Sequence, residues 1–280
     1  MNFIERADDV MSSFKIIACG DIHAKYDLFE LVLKKALDEK ADLLVLTGDF
    51  CDGRKLPSDA AVEDFVKQAE PIKKVLVKTP IQTFFVFGNH DPIELSSTFE
   101  IHSQIIEIHG KKINWKNYMI GGIGGSHSVT SQLLNEAFSF PEGIFPNIIE
   151  NHPDLEHLRT FQKQGFSLYL HSGVHIQYKS LFPCDILVTH TPPLLPNRDN
   201  YYDGSAGLYK LIELYKPLLV ISAHVHNPEA HIETIKWKMD NDRRSTTLVN
   251  LGSLDSKKIS LIRLLKNEKK VEQIEMITIE

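Results

Sequence analysis

Five short apolar runs of the chain each end in side chains that bind metal ions in other proteins. Histidine is the commonest metal ligand and the usual acid or base near neutral pH, and the sequence has 13 histidines. Imidazole and carboxylate ligands suit Mn, Fe or Zn, and the absence of cysteine among them argues against a thiolate-held structural zinc. The residues after the five runs are Asp21 and His23, Asp49, Asn89 and His90, His190, and His224 and His226. Five such endings in one chain predict a shared metal site.

The runs themselves have the composition of buried strands, being rich in Val, Ile, Leu and Phe. They cover residues 14–19, 42–47, 81–87, 185–189 and 218–222. Helical patterns lie between the first of them, at 28–39 with Asp27 as N-cap, and from Ser58 or Asp59 to about residue 70, before Pro71. This alternation indicates an α/β sheet covered by helices, in which ligands gather beyond the carboxyl ends of the strands. Strand-like residues two apart project to the same side, so we expect Asp21 with His23, and His224 with His226, each to present two ligands in one direction.

The remaining sequence predicts one domain over residues 14–280, with an N-terminal extension at 1–13 and an insertion at about 121–180. Near the C-terminus, apolar and polar residues alternate as in antiparallel strands, at 231–239, 245–250, 258–265 and 271–279. The glycine-rich stretch Gly121–Gly125 lacks the spacing of a dinucleotide-binding motif, and we interpret it as a flexible turn.

The composition is that of an ordinary globular chain with a mild negative charge. Lys and Arg number 31 and Asp and Glu 37, which gives a formal net charge of −6. Nucleic-acid binding relies on basic surface, so the charge argues against a nucleic-acid partner. No run approaches the roughly 18 apolar residues of a membrane span. Three cysteines without CxxC spacing argue against a disulfide framework and favour a reducing cytoplasm.

The order and spacing of the metal-binding residues resemble the motif set of the calcineurin-like metallophosphoesterases. In this chain the motifs are Asp21-x-His23, Gly48-Asp49-x-x-Asp52, Gly88-Asn89-His90-Asp91, His190 and Ala223-His224-x-His226. The resemblance implies an α/β fold built as a double β-sheet sandwich flanked by helices. It also implies hydrolysis of a small phosphorylated substrate, either a phosphomonoester or a phosphodiester.

The resemblance further implies two divalent metal ions, about 3.5–4 Å apart as in other two-metal hydrolases. By position, Asp21, His23, Asp49 and His226 would hold one ion. Asn89, His190 and His224 would hold the other, with Asp49 bridging both. Mn, Fe and Zn are all compatible with these ligands.

The family chemistry assigns roles to the residues around these ligands. A hydroxide that bridges the two ions would attack phosphorus. His90 matches the general acid that protonates the leaving oxygen, and Asp52 matches the carboxylate that orients this histidine. Asp91 would support the site from outside the ligand set. Asn89, Ser126 and His127 are candidate substrate contacts.

Two residues depart from the family pattern. Ala223 stands where a glycine usually precedes His-x-His, so the packing must accept an added methyl group. Gly53 stands where the phosphoprotein phosphatases have a phosphate-binding arginine, and Arg54 comes one residue later. The chain resembles more closely a compact group of phosphodiesterases and phosphomonoesterases, through His190-Thr191-Pro192-Pro193, Asp203-Gly204-Ser205 and Asn250-Leu251-Gly252-Ser253.

Two alternatives keep the fold but change the function. The first is a nuclease of the same superfamily, against which the acidic charge argues. The second is a non-catalytic metal-binding scaffold for protein interactions, against which the full ligand set and His90 argue. The sequence leaves the metal identity, the natural substrate and the oligomeric state open.

Overall fold

The computed structural model describes residues 13–57, 60–92, 95–99, 102–125, 178–195, 204–226, 230–238 and 243–280. The strands within them are β1 Ser13–Cys19, β2 Leu43–Leu46, β3 Gln82–Phe85, β4 Ile105–Glu107, β5 Lys112–Trp115, β6 Tyr118–Ile123, β7 Ile186–Thr189, β8 Leu219–Ser222, β9 His231–Lys238, β10 Arg243–Asn250, β11 Lys258–Leu265 and β12 Val271–Thr278. The helices are α1 Tyr26–Asp38, α2 Val62–Leu76, α3 Leu95–Phe99 and α4 Ala206–Tyr215.

The strands form two mixed six-stranded sheets. The first sheet has the order β12-β11-β1-β2-β3-β4, and the second has the order β5-β6-β7-β8-β10-β9. Strands β1 to β4 are parallel, as are β6, β7, β8 and β10, while the outer partners β11, β12, β5 and β9 run antiparallel to their neighbours. The carboxyl ends of the parallel strands therefore lie at one edge of each sheet.

Alternating residues of the strands build three apolar layers. Ile16 of β1 faces the second sheet and packs with residues such as Val188 of β7. Ile17, its neighbour in the chain, points the other way, into a layer shared with Phe29 of α1 and Ile72 of α2. On the far side of the second sheet, its outer face packs on α4 in the same way. This helix–sheet–sheet–helix order confirms the predicted double-sandwich α/β fold.

The five predicted strands that precede the metal-binding residues are present as β1, β2, β3, β7 and β8. The four C-terminal strands are also confirmed, as the antiparallel pairs β9 with β10 and β11 with β12. Strands β4 and β5 and helices α3 and α4 have no counterpart among the predicted elements. Helix α1 begins at Tyr26 after Lys25, so the predicted N-cap Asp27 lies in its first turn, where a negative charge suits the helix dipole.

The predicted end of the second helix before Pro71 is wrong, because α2 continues through this proline to Leu76. A proline inside a helix costs roughly 3 kcal/mol through the lost hydrogen bond and steric clash. Ile72 and Leu76 are both fully buried, and each such side chain contributes about 1.5–3 kcal/mol on burial. The apolar stripe beyond the proline therefore outweighs its cost.

The predicted turn at Gly121–Gly125 is also wrong in its first half, because Gly121 and Gly122 lie within strand β6. They pair with Leu187 and Val188 of β7 in a parallel register. Glycine disfavours strands on its own, but two flanking strands and full burial of Ile120 and Ile123 override that local preference. Strand β6 thus occupies the first residues of the predicted insertion.

Other predictions fall on residues that are not described. They include the N-terminal extension to residue 12, most of the predicted insertion at 126–177, and the helix caps Ser58 and Asp59. Among the described residues, no helix is long and apolar enough to cross a membrane.

Candidate metal centre

The carboxyl ends of β1, β2 and β3 in the first sheet meet those of β7 and β8 in the second. Within each sheet, main-chain hydrogen bonds join the loops that follow: the Asp21 N–H donates to Gly48 O at 3.1 Å, and the Ala223 N–H donates to His190 O at 2.9 Å. Between the sheets, His190 Nδ1 lies 2.7 Å from Thr47 O. The residues that follow the five strands are therefore brought to one place, as the sequence predicted.

A first group of potential ligands consists of Asp21, His23 and His226. One ligand atom from each lies within 4.8 Å of the others. His226 Nε2 is 2.7 Å from Asp21 Oδ2, and the rings of His23 and His226 meet edge to face at 5.6 Å between centroids. Asp21 and His23 are buried, whereas the His226 side chain is 40% exposed, so the group opens toward solvent on the His226 side.

A second group consists of Asn89, His190 and His224. His190 Nε2 lies 2.7 Å from Asn89 Oδ1, and His224 Nδ1 lies 2.9 Å from the same oxygen. The two ring nitrogens are 3.2 Å apart. His190 Nδ1 donates to Thr47 O at 2.7 Å, which leaves a lone pair on Nε2 of the neutral ring. His224 Nδ1 therefore lies within hydrogen-bond distance of two acceptors, this lone pair and the Asn89 carbonyl oxygen.

Asp49 lies between the two groups. Its Oδ2 is 3.6 Å from His23 Nε2 and 3.6 Å from His190 Nε2. Its other oxygen, Oδ1, accepts the His90 N–H at 2.9 Å. One oxygen of Asp49 is thus fixed by the main chain, and the other is equidistant from a histidine of each group.

The donor set fits divalent cations on two further observations. Asp21 Oδ1 and His23 Nε2 are buried polar atoms that make no hydrogen bond within the described part of the chain. His23 Nδ1 contacts Cys51 O at 3.3 Å, so in the neutral ring it donates there and Nε2 carries the lone pair. Buried lone pairs without a hydrogen bond cost free energy, and a coordinated metal ion would satisfy them.

Burial keeps several of these rings neutral, which is the form that binds metals. It lowers the pKa of His224 to about 3 and that of His23 to about 4. Burial alone would raise the pKa of Asp21, but the hydrogen bond from His226 and the nearby histidines lower it below its ordinary value. The hydrogen bond to Asp21 in turn raises the pKa of His226. A metal ion at this pair would therefore compete with a proton.

Four of the clustered residues have left-handed backbone conformations. Their φ angles are +47° at Asp21 and His23, +52° at Asp49 and +66° at His224. Such conformations cost roughly 1–3 kcal/mol each outside glycine and persist only where the surroundings enforce them. Their concentration here marks the strand ends as a strained and therefore candidate functional region.

His90 lies beside the first group, with its ring 5.1 Å from that of His23, edge to face. Burial lowers the pKa of His90 to about 4, and the charges of His23, Arg54 and His190 act in the same direction. The 3₁₀ turn Gly53–Lys55 packs against it, since a side chain at position 53 would come within 3.2 Å of His90 Nδ1.

Asp52, the predicted partner of His90, makes ion pairs in this structure. Its Oδ1 accepts from Arg54 Nε at 3.0 Å, and its Oδ2 lies 2.8 Å from Lys55 Nζ. Burial would raise the pKa of Asp52, but these hydrogen bonds from Lys55 and Arg54 lower it to about 2. Asp52 thus holds two positively charged side chains, Arg54 and Lys55, at the edge of the site. The sequence analysis missed this feature, because Arg54 stands one residue after the position of the family's phosphate-binding arginine.

Asp91 joins the loop after β2 to the loop after β3, because its side chain accepts hydrogen bonds from the main chain of both. Its carboxylate accepts the N–H groups of Phe50 at 3.1 Å, Cys51 at 2.9 Å and Gly88 at 2.9 Å. Because Cys51 O contacts His23 and Gly88 precedes Asn89, Asp91 fixes backbone on both sides of the site. The supporting role of Asp91 outside the ligand set stays a prediction.

Ala223 is accommodated by a glycine on the opposite sheet. Ala223 is fully buried, and a side chain at Gly20 would come within 2.6 Å of its Cβ. The methyl group of Ala223 thus fills the space that Gly20 leaves open. The predicted substrate contacts Ser126 and His127 lie outside the described residues.

Comparisons with known proteins agree with the geometry. The family model described as calcineurin-like phosphoesterase matches residues 14–228. The solved structure of TT1561 from Thermus thermophilus matches with a TM-score of 0.58 and 19% identity, over 96% of this chain and 100% of that one. A dimetal phosphatase from Danio rerio has a TM-score of 0.51 and 10% identity, over 95% and 99% of the two chains. No curated protein sequence matches the chain.

Proposed function

The chain belongs to the calcineurin-like phosphoesterase family and is a metal-dependent hydrolase of phosphate esters, and from that premise we propose that two divalent metal ions and His90 carry out the hydrolysis. The substrate is a phosphomonoester or a phosphodiester of a small molecule. The similarity in fold to a protein described as a dimetal phosphatase supports the number of ions.

One observation carries this proposal. Asp21 Oδ1 and His23 Nε2 are buried without a hydrogen bond within the described part of the chain. Such lone pairs stay unsatisfied unless a cation lies among them. Asp49 lies between the two proposed ion positions, because its Oδ2 is 3.6 Å from a histidine nitrogen of each ligand group.

The proposed ligands divide between the two groups. Asp21, His23 and His226 would hold one ion, Asn89, His190 and His224 would hold the other, and Asp49 would contribute to both. Bound divalent ions would act as Lewis acids on the phosphoryl oxygens, and they would lower the pKa of a metal-bound water to about 7. Mn, Fe or Zn would each suit the mixed imidazole and oxygen ligands.

His90 would donate the proton that the leaving oxygen needs. Its backbone N–H is fixed by Asp49 at 2.9 Å, and its ring lies beside His23 at the edge of the site. Asp52 would favour the protonated ring through its negative charge, as it raises the pKa of His90 against the larger effect of burial. Asn89, Ser126 and His127 remain the proposed substrate contacts.

The test replaces His90 by alanine and compares two esters. Turnover of an alkyl phosphate, whose leaving group needs a proton, should fall about 10²–10⁴-fold, as for loss of a general acid. Turnover of a nitrophenyl phosphate should fall far less, because its leaving group is stable as an anion. Metal content, measured by elemental analysis, should stay at two ions per chain.

His102→Ala is the matched control, because His102 is an exposed histidine of the described chain outside the site. It should leave both activities unchanged. Equal losses on the two esters in the His90→Ala variant would contradict the role of His90. A metal content below two ions in the unmodified protein would contradict the two-ion proposal.

We also propose a single domain over residues 14–280 and a reducing cytoplasm as its location. The two sheets share one apolar layer, which supports a single folding unit. Cys19, Cys51 and Cys184 are all free and buried, which supports a compartment without disulfide formation.

A further inference from the structure

The segment after β10 crosses from the second sheet to the first directly beside the candidate metal centre. It follows Asn250, the last residue of β10, passes through the 3₁₀ turn Leu254–Ser256 and enters β11 at Lys258. It also lies beyond residue 228, where the match to the family model ends. The contacts of this segment reach both halves of the first ligand group, Asp21 on one side and the His224–His226 loop on the other.

Asn250 contacts the loop between the two histidines. It is 5% exposed, and its Nδ2 donates to Val225 O at 3.0 Å. Its Oδ1 accepts the Gly252 N–H at 3.2 Å. Both ends of the side-chain amide are therefore used, one to hold the histidine loop and the other to turn its own chain.

The turn that follows Asn250 then reaches Asp21. Gly252 has φ +64°, and a side chain there would come within 3.0 Å of Ala230 N, so the chain passes close to the start of β9. Two residues later the Leu254 N–H donates to Asp21 O at 3.3 Å. The Asp255 carboxylate pairs with Lys25 Nζ at 2.8 Å, just beyond the Asp21–His23 loop.

The histidine loop has a conformation that needs such support. His224 has φ +66°, and the Val225 N–H turns back to Ala223 O at 2.7 Å. The His224 N–H donates to Asp21 Oδ2 at 2.9 Å. Strained backbone of this kind is kept only where its surroundings fix it, and Asn250 fixes the carbonyl of the residue that lies between the two histidine ligands.

We infer that Asn250 is a positioning residue for metal binding, which sets His226 against Asp21 through Val225 O. The inference rests on the proposed function, because it takes Asp21, His23 and His226 as one ligand group. Asn250 touches no ligand side chain by a hydrogen bond that the structure shows. Its effect is transmitted through the main chain of the histidine loop.

Replacement of Asn250 should therefore weaken the binding of one of the two proposed ions. Residues that orient metal ligands typically change metal affinity 10–100-fold when they are replaced. Asn250→Ala removes both hydrogen bonds and should weaken Mn²⁺ binding at the group of Asp21, His23 and His226 by about that factor. The group of Asn89, His190 and His224 should lose less affinity, because Val225 O belongs to the peptide that leads into His226, while the His224 N–H is held separately by Asp21 Oδ2 at 2.9 Å.

Titration calorimetry with Mn²⁺ alone tests this, together with electron paramagnetic resonance of the loaded protein. The unmodified chain should bind two Mn²⁺ ions and show the spectrum of a coupled pair. At a Mn²⁺ concentration that fills both of those sites, Asn250→Ala should bind one ion and show an isolated Mn²⁺ spectrum. Adding Asn250→Ala to His226→Ala should cause little further loss, because the effect of Asn250 passes through His226.

Asn117→Ala is the matched control. Asn117 Nδ2 also donates to a main-chain carbonyl of a distant segment, Lys266 O at 3.0 Å, but at the other end of the sheets. Asn250→Asp is the second variant, because it keeps an acceptor for the Gly252 N–H and places an oxygen against Val225 O. It should weaken the same site, and it serves where Asn250→Ala does not fold.

The outcomes separate the inference from the function on which it rests. Two Mn²⁺ ions bound with unchanged affinity in either Asn250 variant would overturn the inference. An equal loss in Asn117→Ala would also overturn it, since the effect would then be one of general stability. Fewer than two ions in the unmodified chain would instead count against the proposed two-ion function.

Discussion

At the scale of single residues, the candidate centre is defined by lone pairs that lack hydrogen bonds rather than by charge alone. The main-chain carbonyls of Thr47 and Cys51 contact the Nδ1 atoms of His190 and His23. Each neutral ring then directs its other nitrogen into the site. This arrangement, in which backbone oxygens orient metal-binding histidines, is common around metal ions. It prepares the site for cations before any ion binds.

The position of Arg54 gives a prediction about substrate charge. Arg54 Nε is held by Asp52, its side chain is 59% exposed, and its terminal nitrogens make no hydrogen bond or ion pair with the residues that the structure describes. A phosphomonoester dianion carries one more charge than a diester. Arg54→Gln should therefore raise KM about tenfold for a monoester, as for loss of a hydrogen bond to a charged group, and less for a diester.

Steady-state kinetics on one monoester and one diester with the same leaving group would measure this difference. Lys67→Gln is the control, because Lys67 pairs with Asp64 on α2 and is 76% exposed. It should change neither KM. Equal increases for the two esters in Arg54→Gln would show that Arg54 does not sense substrate charge.

At the scale of elements, His109 contacts Gly124 and Tyr178, which are close in space although more than 50 residues apart in the chain. The Gly124 N–H, at the end of β6, donates to His109 Nδ1 at 2.8 Å, and Tyr178 Oη lies 3.4 Å from His109 Nε2. With Nδ1 as acceptor, the neutral ring carries its proton on Nε2. Burial, and then the charge of Lys111, lower the pKa of His109 to about 4.

This lowered pKa predicts a loss of stability in mild acid. In the unfolded chain His109 would protonate below its ordinary pKa of about 6.5, while in the folded chain it resists protonation down to about 4. The unfolded state thus binds more protons in this window, so stability falls as the pH falls from about 6.5 toward 4. The loss should be about 1 kcal/mol by pH 5.5.

Urea unfolding of the metal-free chain at pH 7.5 and 5.5 would measure this fall in the free energy of unfolding. His109→Gln keeps an acceptor for the Gly124 N–H but does not titrate. The stability that this variant loses between pH 7.5 and 5.5 should therefore be smaller by about 1 kcal/mol. The other histidines contribute equally to both proteins and cancel in the difference. An identical pH dependence in the two proteins would refute the role of His109.

At the scale of the whole molecule, the two sheets bring together carboxylates and lone-pair groups that the proposed ions would offset. The formal charge of −6 would become −2 with two divalent ions bound. The buried polar groups Asp21, His23, Asp49 and His190 come from both sheets. Ions at this place would therefore hold the two sheets together at their shared edge.

Removal of metal should accordingly lower the melting temperature. An ion present at 100 times its dissociation constant stabilises the native state by about 2.7 kcal/mol per site. A chain of this size shifts by roughly 2–4 °C per kcal/mol, so a chelator should lower Tm by at least about 5 °C. Asp49→Asn, which weakens both sites, should show little dependence of Tm on Mn²⁺; a Tm equally raised by Mn²⁺ in this variant would contradict the bridging role.

The sequence by itself determined which residues stand at the ends of the strands, and in what order. Short apolar strands and the polar residues after them are local patterns, so β1, β2, β3, β7 and β8 could be predicted. The resemblance to the family then supplied the sandwich, which the structure confirms, and the roles proposed for Asp49 and His90. Neither required knowledge of distant contacts.

The tertiary structure alone decided what depends on neighbours far along the chain. Helix α2 continues through Pro71 and β6 includes Gly121 because burial against other elements outweighs local propensity. The ion pairs of Asp52 with Arg54 and Lys55, and the hydrogen bond from Asn250 to Val225 O, involve side-chain types that are common in any loop. Their meaning comes from distance and burial in the folded chain, which sequence spacing does not encode.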